Sequence, residues 1–275
     1  NASILTSLVI PAYEELADGL AALKGTGTNP MGLYYWPLGK DYYEYLVKSC
    51  VGDSRSIADI EEAVKTQMVE DYGAIVNLVR ENSGSLETES TRSSETLSVP
   101  EEMLEDLRGK IVKDFPLPPQ VQYQVKYVHD SLQEYLSPAF YLTPCIDDYQ
   151  NNVIYINPAG NYEGLDLYTT LAHEGYPGHL YQSVYFESSS PDLLRSLLGP
   201  DGYTEGWATY VEMYSFSLWE GDPAQTALAQ KNRSFTLGLA SLLDIGIHYR
   251  GYTREDAARF LEQLGFSQET AASLY

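Results

Sequence analysis

Apolar residues recur at helical spacing over 4–23 and again from Ser56 to Glu81, where the run is long and amphipathic. Ser56 reads as the cap of that second run, with Asp59 three residues on. The stretch NSGSLETESTRSSETLS at 82–98 is polar and without period, which predicts a loop or linker over 82–99. It divides an N-terminal helical part, 1–81, from a larger part, 100–275, the two being expected to pack as one compact unit. Pro100 followed by Glu101 and Glu102 opens another helix, with the acids at its positive end. The alternation VQYQVKY (121–127) predicts a strand, and AFYLTP (139–144) with NVIYIN (152–157) predicts a small antiparallel hairpin. Helical spacing returns over about 165–176, 191–198, 203–220, 223–250 and 253–264. The expected fold class is mainly α with a small antiparallel β-sheet beside the central helices.

Composition narrows the function. The chain has 275 residues, 44% of them hydrophobic, enough for a substantial core. A formal net charge of −22 repels phosphate backbones and anionic lipid surfaces, so nucleic acid is excluded as a partner. No apolar run approaches the ~18 residues of a membrane span. No basic-then-apolar leader is visible, and Asn1-Ala2 reads as a cleavage remnant that puts the natural start upstream. Cys50 and Cys145 lack CxxC spacing and are expected to be two buried thiols. Tyrosines number 24 against 7 phenylalanines, which suits a polar, aromatic-lined cleft or a half-wet core.

The chemistry concentrates in Leu171-Ala-His-Glu-Gly-Tyr-Pro-Gly-His-Leu-Tyr-Gln182. A common zinc signature sets two histidines four apart on one helix with Glu after the first. Here His173 and His179 are six apart. On an unbroken helix that spacing rises ~9 Å and turns ~240° off the starting face. Pro177 cannot donate its backbone bond and Gly178 tolerates unusual dihedrals. Either they bulge two residues out of the helix, or the helix ends at Tyr176 and restarts at His179.

Two histidines need a further ligand. Glu205, on the next clear helical run, supplies a carboxylate; Glu212, two turns later on the same face, is its rival. His173, His179 and Glu205 would leave zinc one open position, the catalytic arrangement. Thr209 would support them from one turn away. Glu174 is free to act as general base, taking a proton from water acidified by the metal and returning it to a leaving amine. Asp244 and His248 share a helix face, so Asp244 could orient His248 as a donor to the developing oxyanion, with Tyr249 and Tyr252 as further donors. NVIYIN could be an edge strand to which an extended peptide adds. Arg233, Arg250 and Arg254 are candidates for a peptide's C-terminal carboxylate. His129 is expected to be structural or exposed.

His173-Glu-Gly-Tyr-Pro-Gly-His179 with Gln182, Glu205-Gly-Trp207-Ala, and Asp244-Ile-Gly-Ile-His248 with Gly251-Tyr252 resemble domain-of-unknown-function family 885. KDYYEYLVKS (40–49) and NNVIYINP (151–158) are also similar to it. The resemblance implies a bacterial, zincin-like, largely helical metallopeptidase of the glutamate type. It implies Zn2+ on His173, His179 and Glu205, Glu174 as base, and a peptide substrate. It also implies a cell-envelope or secreted location, as a lipoprotein in the full-length protein, over the cytoplasm that low cysteine use would fit. Family members are longer than this chain at both ends, so it is expected to be a C-terminal catalytic fragment with impaired turnover and a helix starting at Ser267. Two further readings are a metal-dependent amidase on a non-peptide substrate and a non-catalytic peptide- or metal-binding module. Oligomeric state is not legible.

Overall fold

The computed structural model describes residues 2–27, 31–82, 98–160 and 162–266. The polar stretch expected as a linker falls mostly outside these residues, as does the helix start expected at Ser267. Helical backbone runs over 2–23, ending in α1 (Ile10–Leu23), followed by α2 (Gly39–Leu46), α3 (Ile57–Glu81) and α4 (Pro100–Lys110). Three strands come next, β1 (Gln122–Tyr127), β2 (Ala139–Leu142) and β3 (Asn151–Ile156). Helices α5 (Gly164–Glu174), α6 (His179–Ser188), α7 (Asp201–Ser215), α8 (Pro223–Ile245) and α9 (Arg254–Gln263) complete the chain.

The chain divides into two units, one formed by Asn1–Tyr43 with Leu243–Tyr275 and the other by Glu44–Leu242. Helix ends follow the expected chemistry. The Ser56 hydroxyl accepts the Asp59 N–H at 3.1 Å, and α4 begins on Pro100 with Glu101 and Glu102 in its first turn. Thr253 and Asp256 close a reciprocal capping box on α9.

The core of the Glu44–Leu242 unit follows from spacing. Met103 and Leu104 recur at Leu107 and Ile111, Leu167 and Tyr168 at Leu171 and Ala172, and Leu180 and Tyr181 at Val184, the one-face spacing of a helix. These faces of α4, α5 and α6 close on Ile154 and Ile156, which alternate on the inner face of β3. Burying one such Leu or Ile is worth about 1.5–3 kcal/mol. Elsewhere in this unit the fully buried Asp71 carboxylate of α3 is paired with Lys231 of α8 at 3.0 Å.

Three expectations need correcting. The sheet is mixed, in the order β1-β3-β2, with β2 antiparallel to β3 but β1 parallel to it. Residues 128–138, which include a 3-10 segment at Asp130–Tyr135, carry the chain across before β2, so β1 reaches the far side of β3 pointing the same way. NVIYIN is consequently the central strand, and the free edge beside the helices belongs to β2. The two cysteines are free and exposed rather than buried.

Candidate metal centre

The segment between the two histidines breaks the helix. α5 ends at Glu174, two residues earlier than the pattern suggests, and α6 starts at His179. The Tyr176–Pro177 peptide is cis. Gly178 passes so close to the last turn of α5 that a Cβ there would lie 1.7 Å from the His173 carbonyl oxygen and 2.4 Å from that of Ala172. Only glycine allows that approach. The Trp207 indole N–H holds the Pro177 carbonyl at 2.8 Å. Of the two geometries the sequence left open, end and restart is the one found. It brings the His173 and His179 rings edge to face with centroids 4.9 Å apart.

Helix α7 packs across α5 and delivers two carboxylates from one face, since Glu205 and Glu212 are two turns apart. They meet His173 at opposite ends of its ring. Glu205 Oε2 lies 3.5 Å from His173 Nε2, and Glu205 Oε1 lies 3.5 Å from His179 Nε2. The buried Glu212 sits behind, with Oε2 accepting from His173 Nδ1 at 3.0 Å. That bond puts the ring hydrogen on Nδ1 and turns the lone pair of Nε2 toward Glu205 and His179. Arg233 of α8 grips the same carboxylate, Nε to Oε1 at 2.6 Å and Nη2 to Oε2 at 3.3 Å. Thr209 makes no hydrogen bond to the site among the described residues; the supporting group is Glu212.

Glu174 approaches from the other side. Its Oε2 accepts the Tyr141 backbone N–H at 2.8 Å, from the free edge of β2. One oxygen is thereby fixed by the strand. Ligand atoms of His173, Glu174 and His179 lie within 4.8 Å of one another. These groups open on a cleft of about 710 Å³ lined also by Phe140, Tyr162, Asp166 and Arg233. A second cavity of about 740 Å³ adjoins it, sharing Thr143, Ser183 and Thr204.

Burial and charge tune these groups in different directions. Burial pushes the Glu174 carboxyl up, against the pull of His173 and the Tyr141 N–H. For His179, burial and the neighbouring His173 both push down. Burial also acts to lower His173, but the Glu212 hydrogen bond and the surrounding carboxylates outweigh it and hold the imidazole above its ordinary value. Glu212 is buried as well, yet the bonds from His173 and Arg233 keep its carboxyl below the usual range.

His248 and Tyr252 belong to the other unit. There His248 Nδ1 accepts the Leu33 N–H at 3.2 Å, while Asp244 Oδ1 stands 3.9 Å from Nε2, beyond hydrogen-bond reach. Asp244 accepts from the Tyr43 hydroxyl at 2.6 Å through its other oxygen, so Asp244 and His248 are near neighbours without a direct hydrogen bond. The Tyr252 ring covers Gly246. His129 is structural, its Nδ1 capping the segment that starts at Asp130 through Ser131. Sequence reasoning missed Glu212 as the partner of His173, Arg233 as the partner of Glu212, and the Tyr141 N–H on Glu174. The i+7 spacing of Glu205 and Glu212 was the one signal available.

The family model described as bacterial protein of unknown function (DUF885) matches residues 2–274. No curated protein matches the chain. Among solved structures it is similar to a candidate lipoprotein from Colwellia psychrerythraea, with a TM-score of 0.75 at 22% identity, covering 98% of this chain and 50% of that one. A candidate lipoprotein of unknown function from Shewanella oneidensis is similar with a TM-score of 0.64 at 17% identity, covering 95% of this chain and 52% of that one. The chain thus shares their fold and spans about half the length of each.

Proposed function

The chain belongs to the DUF885 family, and from that premise and its own side chains we propose that it is a zinc-dependent peptidase. The observation that carries the reading is the Glu205 carboxylate, 3.5 Å from both imidazole Nε2 atoms. That is too long for hydrogen bonds. Ligands about 2.0–2.2 Å from a common tetrahedral ion stand about 3.4 Å from one another, so the spacing suits His173, His179 and Glu205 as a zinc triad. His173, Glu174 and His179 form a looser set, within 4.8 Å, and the Tyr141 N–H already engages one Glu174 oxygen.

Zinc bound there would acidify a water and polarise a carbonyl. Glu174 supplies the proton chemistry. Its free oxygen takes the proton of the attacking water and passes it to the amine nitrogen as the C–N bond breaks. Burial, which raises the Glu174 carboxyl, brings its basicity nearer to that task. Glu212 keeps His173 in the ligating tautomer, and Arg233 keeps Glu212 ionised. Outward-facing main-chain groups of β2 along the cleft suit an extended peptide better than NVIYIN, the strand expected from sequence.

Zinc analysis of the purified protein is the test. Roughly one zinc per chain is expected, with peptide hydrolysis that chelation abolishes and zinc restores. A chain that neither holds zinc nor cleaves any peptide would sink the reading. Replacing Glu212 by Ala is expected to weaken zinc binding roughly 10- to 100-fold, read by competition with a chromophoric chelator. An envelope location is supported by the candidate lipoproteins that share the fold. No helix among the described residues is long and apolar enough to cross a membrane.

A further inference from the structure

Arg233 does more than its bond to Glu212 requires. The contact is side-on, through Nε and Nη2. A guanidinium carries five N–H donors in a planar fork, and side-on pairing leaves its other edge, Nη1 with the outer hydrogen of Nη2, unspent. No protein group engages that edge among the described residues. The side chain is 45% exposed and lines the cleft. Among the described residues it is the only Lys or Arg in a lining that carries the carboxyls of Asp166, Glu174, Glu205 and Glu212. In a chain of net charge −22, an incoming anion meets repulsion almost everywhere else in this cleft.

Position adds the second argument. Arg233 Nη2 reaches His173 through one bridging oxygen, by contacts of 3.3 and 3.0 Å. The guanidinium therefore lies within about 10 Å of a metal on His173 Nε2, given a Zn–N bond of ~2.0–2.1 Å. An extended peptide advances ~3.3–3.6 Å per residue. A carboxylate hydrogen-bonded to Arg233 then falls one or two residues beyond a carbonyl at the metal.

We propose that the outer edge of Arg233 receives the C-terminal carboxylate of the substrate, so that the enzyme is a carboxypeptidase releasing one or two residues. The inference rests on the peptidase reading above. In the reaction, water adds OH to the acyl carbon and H to the amine nitrogen as the C–N bond breaks, with no other reactant.

The test compares three peptides of one sequence on the zinc-loaded protein: N-acetylated with a free C-terminus, N-acetylated with a C-terminal amide, and free-amine with a C-terminal amide. The free acid is expected to be preferred about 10- to 100-fold in kcat/KM, the range for a charge-assisted bidentate contact. Mass spectrometry should show release of one or two residues. Arg233→Gln, whose amide can still donate to Glu212, should bring the acid-to-amide ratio close to one. The ratio reads carboxylate recognition separately from any loss of zinc or overall rate. Equal cleavage of acid and amide, cleavage only of the free-amine peptide, release of longer fragments, or a ratio unchanged in Arg233→Gln would each overturn this inference alone. Zinc bound with none of the three cleaved would overturn the peptidase reading and this inference with it.

Discussion

Glu174→Gln is expected to keep its zinc and lose hydrolysis by roughly 10²–10⁴-fold, the range for removal of a general base. Gln is nearly isosteric, and its amide oxygen can still accept the Tyr141 N–H that now binds Glu174 Oε2 at 2.8 Å. The side chain should therefore stay in place while losing the ability to take a proton. The paired measurement is zinc content and kcat on the same preparation. This pairing separates two assignments of the site. If Glu174 were a ligand, in the looser set it forms with His173 and His179, the Gln variant would shed metal along with activity. A protein that keeps zinc and falls silent leaves Glu205 as the third ligand. A variant as active as the wild type would remove Glu174 from the chemistry altogether.

What the sequence made legible is what local rules control. Helix α3 announced itself through a cap and a long amphipathic period, and the faces that bury Leu104, Leu171 and Val184 recur at helical spacing. That His173, Glu174, His179 and Glu205 come together was readable because the proposed metal chemistry calls for those residue types in a helical context. The break between the histidines was half legible. Proline and glycine ruled out a continuous helix, but whether residues bulge or the helix restarts turns on how closely Gly178 can pack under the His173 carbonyl.

The rest depends on contacts that no local pattern encodes. Glu212 looked like a competitor of Glu205 because i+7 spacing says that two carboxylates share a face, not which ring atom each one meets. Arg233 lies 21 residues beyond Glu212, and Tyr141 is 33 residues before Glu174; both join the site only through tertiary packing. Mixed pairing of the sheet was hidden for the same reason, since the hairpin could be read from adjacent runs but the side of β3 taken by β1 could not. Asp244 and His248 show the converse failure. Their i+4 spacing is real, yet the stronger partners are Tyr43 and the Leu33 N–H, both remote in sequence.

His179→Ala and Glu205→Gln are expected to weaken zinc binding by about 10²–10³-fold. Four-ligand protein zinc sites bind with roughly 10–16 kcal/mol, so one ligand of the set accounts for roughly 3–4 kcal/mol, or about 10²–10³ in affinity. The two variants probe different parts of the fold. His179 opens α6 immediately after Gly178 and is nearly buried, with its side chain 13% exposed, whereas the Glu205 side chain is 62% exposed on α7. Glu205→Gln should therefore leave the metal-free protein as stable as the wild type, because an exposed carboxylate contributes little to the core. His179→Ala removes one ring of the edge-to-face pair with His173 and should cost the metal-free fold about 0.5–1.5 kcal/mol beyond lost burial. Thermal melts with and without added zinc read both quantities. The wild type should melt higher with zinc, by an amount that grows with its concentration, since only the folded chain brings the three ligands together. Each variant should need about 10²–10³ times more zinc for the same rise. A rise in Glu205→Gln as large as the wild type's at the same zinc concentration would mean that the carboxylate spanning the two imidazoles is not what holds the ion.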